Sequence, residues 1–143
     1  MLGTQNDYNK LANTHNNRSI NRHRWDEDEL EIALTDNSLH HAKVLSTLKS
    51  LLSTRIKQSA FHPNATQFTL HLGLQLFGFW RQSQNRKQSI FCVSNISDKP
   101  TALPLSELNL VVTQTWVELI SGEQISELTQ EIMLSPYQTM WIS

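Results

Sequence analysis

At AFHPNAT, residues 60–66, the spacing of apolar side chains changes from about 3.6 to 2, and this switch constrains the fold more than any other feature of the chain. Before it, Leu45, Leu48, Leu52 and Ile56 fall three and four residues apart, backed by Val44 and Leu51. Lys43, Lys49, Arg55 and Lys57 fill much of the rest, so the pattern predicts a one-sided helix over about residues 38–59 that needs a surface to lie on. After the switch, Phe68, Leu70 and Leu72 alternate with Thr69 and His71, which is the period of a strand. LQLFGFWRQ, SIFCVSNIS, TQTWVELIS, LTQEIMLS and YQTMWIS follow, separated by turn-forming stretches such as QSQNRKQ and Ser121-Gly122. Some six or seven short strands at this spacing predict an antiparallel sandwich rather than βαβ units. The expected class is α+β, with helices in residues 1–62 and an antiparallel β domain in residues 63–143.

The opening is of a third texture. Residues 1–25 are rich in Asn, Thr, Gln, Arg and His, with a short helical turn expected around Tyr8 to Leu11. Asp26 then reads as the cap of a helix whose first turn is acidic and whose Glu29 sits at the capping-box position. Leu30, Ala33 and Leu34 give it a short apolar stripe before Asp36 and Asn37 interrupt it.

A chain of 143 residues suffices for one domain with a sizeable core, but a complete TIM barrel needs roughly 250 residues. No apolar run approaches the roughly 18 residues of a membrane span, so a non-membrane protein is expected. MLGTQNDYNK carries no apolar h-region, and the lone Cys92 lies in the apolar run SIFCVSNI as a small core residue. Both point to the reducing cytoplasm, where the Asn-x-Ser/Thr triplets at Asn17, Asn64 and Asn95 carry no glycan. A formal net charge of −1 argues against bulk attraction to nucleic acid, since that binding neutralises many phosphates.

The usual catalytic signatures are missing. Six histidines and one cysteine offer no metal-ligand spacing, and the adjacent His40 and His41 are expected to point to different sides of their helix, so neither metal nor cofactor is expected. There is no Gly-x-Ser-x-Gly elbow, and four scattered glycines make no phosphate-cradling loop. The run Asp26 to Glu31 reads as a solvated, dipole-matched first turn rather than as paired catalytic carboxylates. Trp80, Trp116 and Trp141 lie in strand-like alternation as core or half-exposed sheet residues; only on one exposed face would they make a sugar-stacking platform.

One feature stays unabsorbed: NNRSINRHRW, residues 16–25, crowds Arg18, Arg22, His23 and Arg24 together. The longer stretch NDYNKLANTHNNRSINRHRW resembles the segment near the end of the catalytic barrel in sucrose phosphorylase and its relatives in glycoside hydrolase family 13, of the α-amylase superfamily. The matching pieces are Asn6-Asp7, Thr14, Arg18 and Ile20-Asn21-Arg22-His23. More weakly, a long helix ends in an arginine-bearing turn and Ala60-Phe61, like the family's last barrel helix, and a small β domain closes the chain. Asn17 departs from the pattern, standing where the family usually carries Gly before the arginine; Asn is the next most tolerant residue if that position needs a positive φ.

What the resemblance implies is a retaining α-glucoside phosphorylase or glucosyltransferase, working by double displacement from two barrel carboxylates about 5 Å apart. Residues 1–62 would be the last loop and helices of that barrel, and 63–143 its C-terminal β-sandwich domain. Arg18 would sit at the donor glucosyl site, pairing with a barrel carboxylate and the sugar hydroxyls. Asn21, Arg22 and His23 would support that loop, with contact to ligand a lesser role. The nucleophile, acid/base and stabilising carboxylates belong to barrel segments outside this chain, so it holds no catalytic residue and is expected to be inactive alone. Glucoside and inorganic phosphate would then be ligands only in the full enzyme, and the apolar helix face predicts self-association or a complementing barrel chain. The family includes phosphorylases of sucrose, glucosylglycerate and related glucosides, and the loops that choose the acceptor would lie elsewhere. Two other readings compete: a free-standing β-sandwich interaction or sugar-binding module, and nucleic-acid binding through RSINRHR, whose field the downstream acidic run partly cancels.

Overall fold

The computed structural model describes residues 6–20, 25–108, 115–126 and 129–143. The chain divides into two compact units, residues 1–52 and 53–143.

The first unit is helical. Helix α1 (Tyr8–Thr14) starts where Asp7 accepts the Lys10 N–H, and ends at His15, whose φ of 51° is the left-handed cap that closes a helix. Helix α2 (Glu27–Thr35) is capped by Asp26 as expected, its side chain accepting the Asp28 N–H at 3.1 Å. Asp36 stops α2, and its carboxylate accepts the Ser38 N–H at 2.8 Å; these Ser38 hydrogen bonds hold it below the usual carboxylate range. Helix α3 (His40–Ile56) follows the expected apolar spacing. Of the described residues of this unit, only the side chains of Ala33 and Ala42 count among the buried apolar ones.

The second unit is an antiparallel β domain. Strands β1 (Thr66–Leu70), β2 (Leu76–Gln82), β3 (Ser89–Asn95) and β8 (Thr139–Ile142) form a sheet in the order β1-β2-β3-β8. Strands β4 (Thr101–Pro104) and β7 (Glu131–Leu134) make one two-stranded ribbon, and β5 (Trp116–Val117) with β6 (Gln124–Ile125) another. The core strand β3 is buried on both faces, which explains its nearly unbroken apolar run IFCV. One face carries Phe91 and Val93 into a cluster with Leu76, Met140 and Ile142, completed by Leu103 of β4, Leu134 of β7 and Ile125 of β6. The other face carries Ile90 and Cys92 against Ala60 and Phe61. At Gly78 a Cβ would come within 2.5 Å of Leu72 Cδ1, so a larger residue there would make the Leu72 side chain shift.

Three details differ from expectation. Strand β4 went unpredicted because TALP is short and ends in proline, and it exists because its backbone pairs with β7 thirty residues away. The strand expected over TQTWVELIS shrinks to two residues, since Glu118 turns the chain. Its carboxylate accepts the N–H groups of Ile120 and Ser121, and Gly122, at φ 82°, returns its N–H to the Glu118 carbonyl at 2.7 Å. The third correction is at His40 and His41, whose rings stack with centroids 4.4 Å apart rather than pointing to different sides. They are the first two residues of α3, and although their Cβ atoms fan apart, rotation about χ1 and χ2 turns the two flat rings toward each other. Trp25 meets His41 edge-on at 5.4 Å.

Candidate functional site

The opening loop is built from short polar side chains that answer backbone groups. Asp7 does so twice, capping α1 with its side chain and donating its own N–H to the Ile20 carbonyl at 2.6 Å, so residues 7 and 20 are tied together. Inside this closure Thr14 Oγ1 donates to the Lys10 carbonyl at 2.7 Å and lies 2.8 Å from Ser19 Oγ, which itself donates to the Asn16 carbonyl. Asn16 then accepts the Arg18 N–H at 3.0 Å and opens a 3-10 turn over Asn17–Ser19. Arg18 stands on that turn, exposed. Among the described residues its guanidinium has no hydrogen-bond or ion-pair partner.

Thus Asp7, Thr14 and Arg18, three of the pieces singled out from sequence, do share one local structure. Asn17 does not need the conformational freedom it offers: the positive φ of the loop falls on His15, and Asn17 is in the 3-10 turn. Asn21, Arg22 and His23 lie outside the described residues. Chemically, the arrangement holds a permanently charged planar fork on a turn fixed by its own backbone, ready for a carboxylate or a polyol.

A second polar cluster, which sequence reading missed, pins residues 58–65 to the sheet. Arg81 of β2 donates through Nε to the Ala60 carbonyl at 2.8 Å, through one terminal nitrogen to the His62 carbonyl at 2.7 Å, and through the other to Gln67 Oε1 at 3.2 Å. Gln88 accepts the Ala60 N–H and the Ser59 hydroxyl, and donates to Gln58 Oε1 at 2.6 Å. Asn95 is buried, donating to the carbonyls of Lys99, Leu134 and Ser135 and accepting the Ser97 N–H. Glu118, also buried, accepts a third backbone N–H from Trp141 at 2.9 Å. These are groups whose partners all lie within the fold, and they hold the β domain together rather than meeting a ligand.

The tryptophans divide between two faces. In the register Trp80 lies opposite Phe91 and Trp141 opposite Cys92, and consecutive residues of β3 face opposite ways. Trp80 stacks between Phe68 and Phe91 and Trp116 meets Phe91 edge-on, whereas Trp141 packs on Phe61. The single exposed face that a sugar-stacking platform requires is therefore not formed. Burial pushes the Cys92 thiol up to about 12, with the charge of Arg81 opposing the shift. A cleft of about 280 Å³ lies where the β1–β2 connection meets β4, with Leu76 and Leu103 as its floor and His71 and Glu107 on its rim. Among the described residues no three His, Cys, Asp or Glu side chains gather as a metal site would require. Among them, too, no helix is long and apolar enough to cross a membrane.

Comparison with known proteins finds a family for the β domain and relatives along the whole chain. The family of maltogenic amylase C-terminal domains matches residues 67–141, which is the β domain from β1 through β8. A glucosylglycerate phosphorylase of Allomeiothermus silvanus is 30% identical over 142 residues, covering 99% of this chain and 22% of that protein. Glucosylglycerate phosphorylases of Spirochaeta thermophila and Escherichia coli are 24% and 28% identical, over 100% and 99% of this chain and 26% and 24% of their own lengths. The chain thus spans about a quarter of the length of these relatives. The matches bear out the resemblance to the C-terminal part of sucrose-phosphorylase-like enzymes of glycoside hydrolase family 13.

Proposed function

We propose a function from one premise: the chain belongs to the family of maltogenic amylase C-terminal domains. It supplies the closing part of a retaining α-glucoside phosphorylase, in which residues 1–62 complete a catalytic barrel and residues 63–143 are the β domain appended to it. The substrate pair is an α-glucoside, glucosylglycerate first among them, and inorganic phosphate. The observation that carries this reading is that similarity to a glucosylglycerate phosphorylase runs over 99% of the chain, through the opening loop as well as the β domain.

In this reading Arg18 contributes binding. Its guanidinium, unpartnered among the described residues and held on a turn that Asn16 fixes, pairs with a barrel carboxylate and a glucosyl hydroxyl once barrel strands surround it. The carboxylates that attack and protonate the glycosidic bond come from the barrel, supplied by the same polypeptide or by a complementing chain, and this chain by itself turns over nothing. Its setting is cytoplasmic, where phosphate and phosphorylated sugar are retained.

Complementation tests the assignment. A glucosylglycerate phosphorylase truncated before the matching region is co-expressed with this chain, and phosphate-dependent release of glucose 1-phosphate from glucosylglycerate is followed. Activity is expected only when both are present. Arg18→Ala is expected to lower kcat/KM by about 10- to 150-fold, the worth of a charge-assisted hydrogen bond, while the complex still forms. Turnover by this chain alone, or a complex that forms and gains no activity, overturns the reading.

A further inference from the structure

The four-stranded sheet of the β domain is covered unequally. Among the described residues, nine buried apolar side chains form the cluster on the Phe91 and Val93 face, where β4, β6 and β7 close over the sheet. The opposite face has four: Ala60 and Phe61 lie over Ile90 and Cys92, with Phe79, Leu119 and Trp141 partly buried around them. The stretch that covers this second face pairs with no strand. Among the described residues, the backbone–backbone hydrogen bonds donated by residues 57–65 all end within residues 54–62. What ties the stretch to the sheet is side chains: Gln88 Oε1 accepts the Ala60 N–H at 3.0 Å, and Arg81 Nε donates to the Ala60 carbonyl at 2.8 Å. Both side chains are anchored in the sheet, Arg81 by its place on β2 and Gln88 by paired hydrogen bonds with Ser83 across the β2–β3 turn.

We propose that residues 58–62 are a strap latched by Arg81 and Gln88, which lifts off the sheet by itself while the sheet stays folded. Lifting it breaks no ladder bond of β1, β2, β3 or β8 and leaves the larger cluster in place. Opening of this kind costs less than unfolding the domain. The Ala60 and His62 carbonyls and the Arg81 guanidinium all return to water when the strap opens, so each bond holds it by its net worth alone. In the reading proposed above, residues 58–62 are the passage from the last barrel helix to the β domain, and the latch then sets how firmly the two are joined. The opening itself rests on the β domain and is independent of that reading.

Cys92 makes the opening visible. It is the one cysteine of the chain, it is 3% exposed, and it lies beneath the strap. The full chain is mixed with a chromogenic aromatic disulfide at about pH 8, and the rate of thiol labelling is followed from zero urea to just below the unfolding transition. A rate that is slow but nearly independent of urea is expected at first, because strap opening exposes little surface, and a steep rise once global unfolding takes over. Arg81→Ala is expected to raise the urea-independent rate by about 10- to 150-fold and Gln88→Ala by about tenfold. Arg81→Lys, which keeps the charge and can still reach a carbonyl, should raise it less. Asn95→Ala destabilises the domain from the other end of β3 and should move the steep limb but not the flat one. Circular dichroism confirms that each variant is folded; if Arg81→Ala is not, Arg81→Lys and Gln88→Ala carry the test. Labelling that follows global unfolding at every urea concentration overturns the proposal, as does a wild-type rate equal to that of the unfolded chain. Latch variants that leave the flat limb unmoved, or an Asn95→Ala that raises it as much as they do, overturn it as well.

Discussion

The helical unit and the β domain have about the same share of apolar side chains to dispose of, and they dispose of them differently. In residues 53–143 the apolar residues of the sheet face two clusters, and buried Asn95 and Glu118 each answer three or more backbone groups. In the described part of residues 1–52 the polar closures are local: Asp7 to Lys10, Asn16 to Arg18, Asp26 to Asp28 and Asp36 to Ser38. The side chains that ought to weld helices together stay in solvent. The contrast teaches where stability resides. A set of strands whose hydrogen bonds and core come from one another is closed upon itself, whereas short helices satisfied only within a few residues are marginal until a surface covers them.

The widest gap between the units should appear on truncating one leucine in each. Leu103→Ala, at a fully buried side chain, is expected to cost about 2–5 kcal/mol in urea unfolding followed by tryptophan fluorescence. Leu48→Ala, at a half-exposed side chain of α3, is expected to cost less than about 0.5 kcal/mol. Equal costs would mean that Leu48 is buried in solution, and the comparison would fail. A finer version uses the two asparagines. Asn95→Ala strands three carbonyls and is expected to cost about 1–3 kcal/mol, against a few tenths for the exposed Asn16→Ala, which frees one N–H to water. If Asn16→Ala melts the protein as readily, the opening loop is as tightly held as the β domain.

The smallest effect is absent at neutral pH and appears only in alkali. An unfolded Cys92 thiol ionises near 9.0, while burial keeps the folded one protonated to about 12, so between these values the unfolded state binds fewer protons. Its contribution to stability is therefore complete below pH 9 and lost as pH rises toward 12. The stability difference between wild type and Cys92→Ala should shrink over that window and stay constant from pH 6 to 8. A difference independent of pH would show that the thiol is no better shielded than one in the opening unit would be.

The cap of α2 at Asp26, the short helix after Asp7 and the burial of Cys92 could all be read from adjacent residues. Each depends on interactions within about one helical turn or on a run of neighbours, and such signals are local. The stacked His40 and His41 rings were misread because the helix backbone sets where a Cβ points and not how the ring beyond it turns. Arg81, Gln88, Asn95 and Glu118 gave no signal. An arginine in a strand or a glutamate after WV looks like any solvent-facing residue until distant backbone is brought to it, as Ala60 is to Arg81 from 21 positions away and Trp141 to Glu118 from 23.

Sequence by itself determined the order of the two units, the faces of the strands through their period of two, and, through NDYNKLANTHNNRSINRH, the resemblance to sucrose-phosphorylase-like enzymes that the relatives bear out. Those are properties of spacing and side-chain type, and they survive before any contact is made. Tertiary structure alone decided that Arg18 stands exposed on a turn, that Trp80 and Trp141 turn to opposite faces, and that Val44, Leu48, Leu52 and Ile56 of α3 stay exposed. The physical reason is the same in each case: exposure and pairing are set by what comes to lie alongside a residue, and a linear chain does not carry that information one residue at a time.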